Sequence, residues 1–192
     1  MRIRWLSQSA FLLRGEHTVF VDPFGEMSAA SARGMPPVIR ARAGRHESPV
    51  GEVVGVASEH DAAAGTERGA NTIVCFTLDG LRVCHLGDFG QPALRPEQRE
   101  AIGPVDVLFV PVGGGPTIGG APAAELVREL APRLVVPMHY RTDAVSFLEP
   151  PDAFLEALGA RVERLAASEL EVEELLGTAS EPVVALLAPP RA

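Results

Sequence analysis

Three short phrases carry side chains able to hold a divalent cation: Ser58-Glu59-His60-Asp61, Cys84-His85-Leu86-Gly87-Asp88 and Pro137-Met138-His139-Tyr140. Two imidazoles and a carboxylate suit zinc, and also manganese or iron. The last two phrases each follow a short apolar run, where a strand would end and deliver its final residues to the rim of a sheet. His60, Asp88 and His139 are therefore the candidate metal ligands. The chemistry such a set supports is attack by an activated water on a polarised bond, with Asp88 and His139 as the catalytic candidates.

Each residue also has a plainer reading. His60 is equally a strand-end histidine bonded to backbone, and Asp88 is equally a turn cap after glycine. His85 fits a core histidine or a supporting neighbour better than a ligand. Arg68 and Arg141, each close to a proposed ligand in sequence, suit either an anionic substrate or surface ion pairs. Tyr140, the single tyrosine, suits either a leaving group or the core. Gly113-Gly114-Gly115 lets backbone approach a ligand or simply turns the chain, and it lacks the spacing and lysine of a phosphate loop.

The elements that must position these residues fall in two halves. Arg2 to Leu6, Ala10 to Arg14 and Thr18 to Val21 predict an antiparallel meander, followed by Val50 to Ala57, Asn71 to Leu78 and Leu81 to His85. Asp79-Gly80 between the last two is a strong hairpin signal. After Asp88 the period lengthens: helices are expected over Pro96 to Ile102, Ala121 to Leu130, Pro151 to Leu158 and the acidic Ser168 to Leu176, with Glu169 to Glu174 as a solvated helix face. Buried strands are expected over Val105 to Val110, Leu134 to Pro137 and Val183 to Leu187. Strands first, then strands alternating with helices, predict an α/β (α+β) fold of two sheets with helices outside.

With 192 residues, 46% of them hydrophobic and 22% charged, the chain predicts one globular domain over 1–192. The net charge of -8 and the lack of a dense basic run exclude a general nucleic-acid binder. No apolar run approaches the roughly twenty residues that span a bilayer. Without a basic and apolar leader, the expectation is a cytoplasmic protein in which Cys75 and Cys84 stay reduced and form no close metal-binding pair. The absence of lysine excludes Schiff-base and phosphate-loop lysine chemistry.

Six phrases in order, Val21-Asp22-Pro23, Glu59-His60-Asp61, Glu67-Arg68-Gly69-Ala70-Asn71, His85-Leu86-Gly87-Asp88, Val110-Pro111-Val112-Gly113-Gly114 and Pro137-Met138-His139-Tyr140, resemble the metallo-β-lactamase fold hydrolases, in the branch of ascorbate-6-phosphate lactonase-like proteins. The resemblance implies a four-layer αββα sandwich with metals at one edge between the sheets. It implies His60 at the first metal, Asp88 bridging two metals and His139 at the second. It also implies hydrolysis of a small ester, lactone or phosphorylated substrate.

That family's His-x-His-x-Asp-His signature has no counterpart here, because the histidines are His17, His46, His60, His85 and His139, none of them close neighbours. The chain passes from Gly34-Met35 to Pro36-Pro37-Val38 where about thirty residues, the size of a βα unit, would carry it. The domain is thus expected to be shortened near 34–38, with weak or partial metal occupancy and a degenerate active site. Unpaired strand edges make a homo-oligomer an expected compensation. A small-molecule binder without catalysis, or a truncated product with no evolved role, stand beside the hydrolase reading.

Overall fold

Along Arg2–Ser7 (β1), Ile3 and Trp5 are buried while Arg2 and Arg4 face solvent, the two-residue period of a half-buried strand. This is the start of the computed structural model, which describes residues 1–22, 36–39, 42–178 and 181–190. Ala10–Arg14 (β2) and Thr18–Val21 (β3) continue the antiparallel meander, and Val38–Ile39 (β4) pairs in parallel with β3. The expected shortening near 34–38 falls partly outside the described residues.

The larger sheet begins with Gly44–Ser48 (β5), Gly51–Glu59 (β6), Ala70–Leu78 (β7) and Leu81–His85 (β8), all antiparallel neighbours. Asp79 and Gly80 both have positive φ, +52° and +74°, the condition for the tight hairpin turn that matches strand twist. From β8 onward the strands run parallel. Val107–Pro111 (β9) and Leu134–Met138 (β10) are buried at every position, as strands covered on both faces must be. Pro96–Ile102 (α1) and Gly120–Leu130 (α2) make the crossovers, α1 packing on β6 and α2 on β9.

Asp152–Leu158 (α3) packs on α2 and stops at Gly159, whose φ of +66° ends the helix. Arg161–Arg164 (β11) and Val183–Leu186 (β13) complete an eight-stranded sheet in the order β11-β13-β10-β9-β8-β7-β6-β5. The two sheets meet face to face through Phe11 of β2 and Phe109 of β9, with ring centroids 4.5 Å apart. The mixed α/β two-sheet sandwich is therefore the architecture expected from the sequence.

One expected helix is in part a strand. Glu169–Glu171 (β12) pairs antiparallel with β1, and only Val172–Thr178 (α4) is helical. The physical reason is burial with a period of two: Leu170 is buried between its two glutamates, and Arg2 pairs with Glu171 across the ladder. Glu169 to Glu171 is thus not a helix face. β5 and β11 were not expected either. Gly-Arg-His-Glu-Ser and Arg-Val-Glu-Arg are charged edge strands, and edges tolerate such sequences because only one side is paired.

Candidate metal centre

Asp88 emerges three residues beyond β8. Its backbone N–H donates to Asn71 Oδ1 at 3.0 Å, while Asn71 Nδ2 donates to the Leu86 carbonyl and to Ser58 Oγ, both at 2.8 Å. Asn71 thus closes the turn from Leu86 to Asp88 and ties it to β6. Gly87, at φ +61°, has no Cβ, and one built there would lie 2.5 Å from Asn71 Oδ1. Only glycine lets the turn come this close.

His60 follows the last residue of β6. Its N–H donates to the Gly69 carbonyl at 3.1 Å, and Gly90 presses on its backbone so closely that a Cβ would sit 2.4 Å from the His60 carbonyl carbon. Next to it, the buried Asp61 carboxylate accepts the N–H groups of Ala63, Gly65, Glu67 and Arg68. Burial raises the Asp61 pKa, but these four donors outweigh it and hold the carboxyl below its ordinary 3.8. Glu59-His60-Asp61 and Glu67-Arg68-Gly69 are therefore one closed loop that carries His60.

His139 follows β10 with φ +51°, a left-handed conformation uncommon for a residue with a side chain. Gly113 donates its N–H to the His139 carbonyl at 3.0 Å, and a Cβ on Gly113 would lie 2.3 Å from that oxygen. On its other side the His139 N–H donates to the Gln8 carbonyl at 3.3 Å. Burial lowers the His139 pKa below 6.5, outweighing the upward pull of Asp88 and Asp22.

The three candidate ligands come together. His60 Nε2 lies 3.7 Å from Asp88 Oδ2, and His139 Nε2 lies 3.6 Å from Asp88 Oδ1. These separations are too long for hydrogen bonds. They match the roughly 3.4 Å between two donor atoms that each stand about 2.1 Å from one tetrahedral ion. His60 Nε2 and Asp88 Oδ1 are buried with no hydrogen-bond partner among the described residues, as ligand atoms open to a cation would be, whereas the unpartnered ring nitrogen of His139 is Nδ1 and not the Nε2 that faces Asp88.

Among the described residues no three His, Cys, Asp or Glu side chains are grouped to hold one ion. The geometry explains why: the histidines face different oxygens of Asp88, one on each side. Each side of the Asp88 carboxylate would thus offer a cation two ligand atoms, fewer than the three or four of a closed site.

The other candidates lie around this centre rather than in it. His85 is fully buried; its Nε2 meets the Ser9 carbonyl at 2.8 Å and its Nδ1 accepts the Gly87 N–H at 3.1 Å. Nε2 therefore carries the proton, and burial keeps the ring below its ordinary pKa of 6.5. Tyr140 is buried against Trp5, its hydroxyl donating to the Leu187 carbonyl at 3.1 Å, and burial pushes its pKa up. Arg68 has an exposed side chain and joins the Asp61 loop through its backbone N–H. Arg141 is exposed and donates from Nε to the Leu148 carbonyl at 2.6 Å.

Three features escaped the sequence reading. Asn71 was seen only as part of a phrase. Asp22 likewise stood only in the phrase Val21-Asp22-Pro23; at φ +49° it is near enough for its charge to act on His85 and His139. Cys75 and Cys84 stand directly opposite each other in the β7–β8 ladder, both fully buried, so the two thiols are neighbours across one strand pair. The two-residue turn at Asp79-Gly80 was the available signal, since it sets which positions face each other.

Residues 36–139 match the Beta-lactamase superfamily domain. A crystal structure from Thermotoga maritima, assigned to Zn-dependent hydrolases of the metallo-beta-lactamase superfamily, is 31% identical, covers 97% of both chains and superposes with a TM-score of 0.77. A UPF0173 metal-dependent hydrolase of Thermococcus kodakarensis is 36% identical over 115 residues, 58% of this chain and 50% of that protein. A Methanosarcina mazei UPF0173 metal-dependent hydrolase is 24% identical over 218 aligned positions, 85% of this chain and 93% of that protein. The matches to the first two curated relatives span about half of those proteins' length, 50% and 55%. On its matched domain, its two-sheet sandwich and its 31% identity to the Thermotoga maritima structure, this chain belongs to the beta-lactamase superfamily domain family of metallo-β-lactamase fold, beside the UPF0173 metal-dependent hydrolases.

Proposed function

We propose that this protein is a metal-dependent hydrolase with a reduced metal centre, in which Asp88, His60 and His139 hold a transition metal weakly and hydrolysis of a small ester, lactone or phosphorylated compound is slow. The observation that carries this reading is the pair of Asp88 oxygens, each facing a different histidine at 3.6 and 3.7 Å, with His60 Nε2 and Asp88 Oδ1 unpartnered among the described residues. When bound, the metal supplies the Lewis acidity that makes a water nucleophilic near neutral pH. Asn71 and Gly87 orient the Asp88 carboxylate, Gly90 and the Asp61 loop fix His60, and Gly113 and Gln8 fix His139.

The reduced state is supported by the sequence. No His-x-His-x-Asp-His is present, and an alignment of 218 positions against a chain of 192 residues leaves part of the Methanosarcina protein opposite nothing here. The order of motifs supports the branch of ascorbate-6-phosphate lactonase-like proteins. A second reading, a ligand-binding protein that has lost hydrolysis, is favoured by the same missing signature.

A closed structural zinc site gains about 10–16 kcal/mol; half the donors leave roughly 5–8 kcal/mol, a Kd from about one micromolar to a few hundred micromolar. Protein purified without chelator and titrated with Zn²⁺ against a chromophoric chelator is expected to bind in that range. Asp88→Asn removes binding on both sides, whereas His60→Ala removes it on one. Wild-type protein that takes up no metal at millimolar Zn²⁺ refutes the reading.

A further inference from the structure

Cys75 and Cys84 are the two cysteines of this chain, and neither takes part in the candidate metal centre. They stand opposite each other in the β7–β8 ladder, unbridged and both at 0% exposure. Val54 of β6 is in register with Cys75, and Leu108 of β9 with Cys84, so the row across the sheet reads Val54-Cys75-Cys84-Leu108. Those two flanking side chains are apolar, and a hydrogen bond joins the two thiols.

The hairpin turn sets the geometry of this pair. Asp79-Gly80 is a two-residue loop, so Leu78 and Leu81 form the hydrogen-bonded pair that closes it, and the two kinds of pair alternate from there. The register runs without a shift from Leu78↔Leu81 to Val74↔His85. Phe76 and Val83 therefore exchange ladder bonds, whereas Cys75 and Cys84 form a non-hydrogen-bonded pair. At such a pair the Cα atoms stand about 4.5 Å apart and the side chains approach most closely. That spacing lies within the roughly 4.4–6.8 Å that a disulfide spans.

We propose that Cys75 and Cys84 are a disulfide site, closed by exchange with a low-molecular-weight disulfide such as oxidised glutathione while the chain is open, and sealed within the sheet once β7 and β8 pair. The Cys75 thiolate attacks one sulfur of the small disulfide, forming a mixed disulfide and releasing one small thiol. Cys84 then attacks the Cys75 sulfur, closing the protein bridge and releasing the second. The cysteine sulfurs lose two electrons, the small disulfide gains them, and the two cysteine protons end on the departing thiols. Burial does not obstruct this exchange, because it precedes strand pairing; afterwards the same burial shields the bridge from reductant. The hairpin so tied is the one whose open end carries Asn71 and the turn from Leu86 to Asp88. The site needs no metal.

The test unfolds full-length protein in denaturant and refolds it by dilution into glutathione buffer, either mostly oxidised or fully reduced. Each sample is then unfolded again with an alkylating agent and weighed by mass spectrometry. A bridged chain takes up no alkyl group, a dithiol chain takes up two, and a mixed disulfide shows the added mass of glutathione. Wild-type protein from the oxidised buffer is expected at monomer mass with no alkyl group and no glutathione. It is also expected to melt about 5 °C or more above the reduced form, the effect of closing a loop of roughly ten residues in a chain of this size. Cys84→Ser, with one sulfur left, should show no such rise in the oxidised buffer. Wild-type protein that regains its fold with two alkylated thiols or with bound glutathione overturns the assignment. So does a chain that refolds only in the reduced buffer, or a bridged form that melts no higher than the dithiol form. These wild-type results decide the matter even where the serine variant does not fold.

Discussion

Asn71→Ala removes the side chain that links three parts of the centre at once. The amide makes hydrogen bonds at 2.8, 2.8 and 3.0 Å to Ser58 Oγ, the Leu86 carbonyl and the Asp88 N–H. At a net 0.5–1.5 kcal/mol each, with partners partly buried, the loss is about 3 kcal/mol. For a chain of this length that is a fall in Tm of about 6–12 °C, read by calorimetry.

Loss of the Asp88 anchor is also expected to weaken Zn²⁺ binding by about 10- to 100-fold, as for other residues that orient metal ligands. Asn71→Asp separates this bonding from mere volume. The introduced carboxylate still accepts the Asp88 N–H, but it faces the Leu86 carbonyl where the amide donated, so its charged form is disfavoured and its folded pKa is raised. Stability linked to a raised pKa is present at low pH and lost as pH rises. The deficit relative to wild type should therefore be smaller at pH 5 than at pH 8. A deficit independent of pH, or Asn71→Ala within about 0.5 kcal/mol of wild type, refutes the reasoning.

Acid should destabilise the protein in two stages. His85 has a pKa lowered below 6.5 by burial, and Asp61 one held below 3.8 by its four N–H donors against the effect of burial. In both cases the unfolded chain binds protons first, so stability present above the ordinary values is lost as pH falls through each folded value, which denaturant melts between pH 7 and pH 3 will show. Tyr140→Phe removes the bond to the Leu187 carbonyl and is expected to cost about 1–2 kcal/mol in urea melts while leaving Zn²⁺ affinity unchanged. Cys75 and Cys84 are fully buried, and the shared hydrogen bond and burial push the Cys84 pKa up. Neither thiol should react with a disulfide reagent at pH 8 until denaturant is added, when both react.

Much of the fold was legible in local pattern. The continuous apolar runs of β9 and β10, the Asp-Gly hairpin and the Pro-started, Gly-stopped helices are set by burial and backbone preference within a few residues, so they can be read without a partner in view. β12 was hidden because Glu-Leu-Glu has acidic neighbours that suit a helix; its pairing with β1, which buries Leu170 opposite Ile3 and sets Glu171 against Arg2, makes it a strand. The edge strands β5 and β11 lack an apolar signal because one side of each is left to solvent.

For the centre, the residue types and their order named His60, Asp88 and His139 as candidates, because metal chemistry demands imidazole and carboxylate at strand ends and this chain has only five histidines. Their mutual position was decided by tertiary structure alone. That each histidine faces its own Asp88 oxygen, that Asn71 holds the Asp88 turn and that the Gln8 and Ser9 carbonyls meet His139 and His85 all depend on loops from both sheets meeting at one rim. Contacts between residues tens of positions apart leave no local period in a sequence, and only the packing of the two sheets brings them within reach.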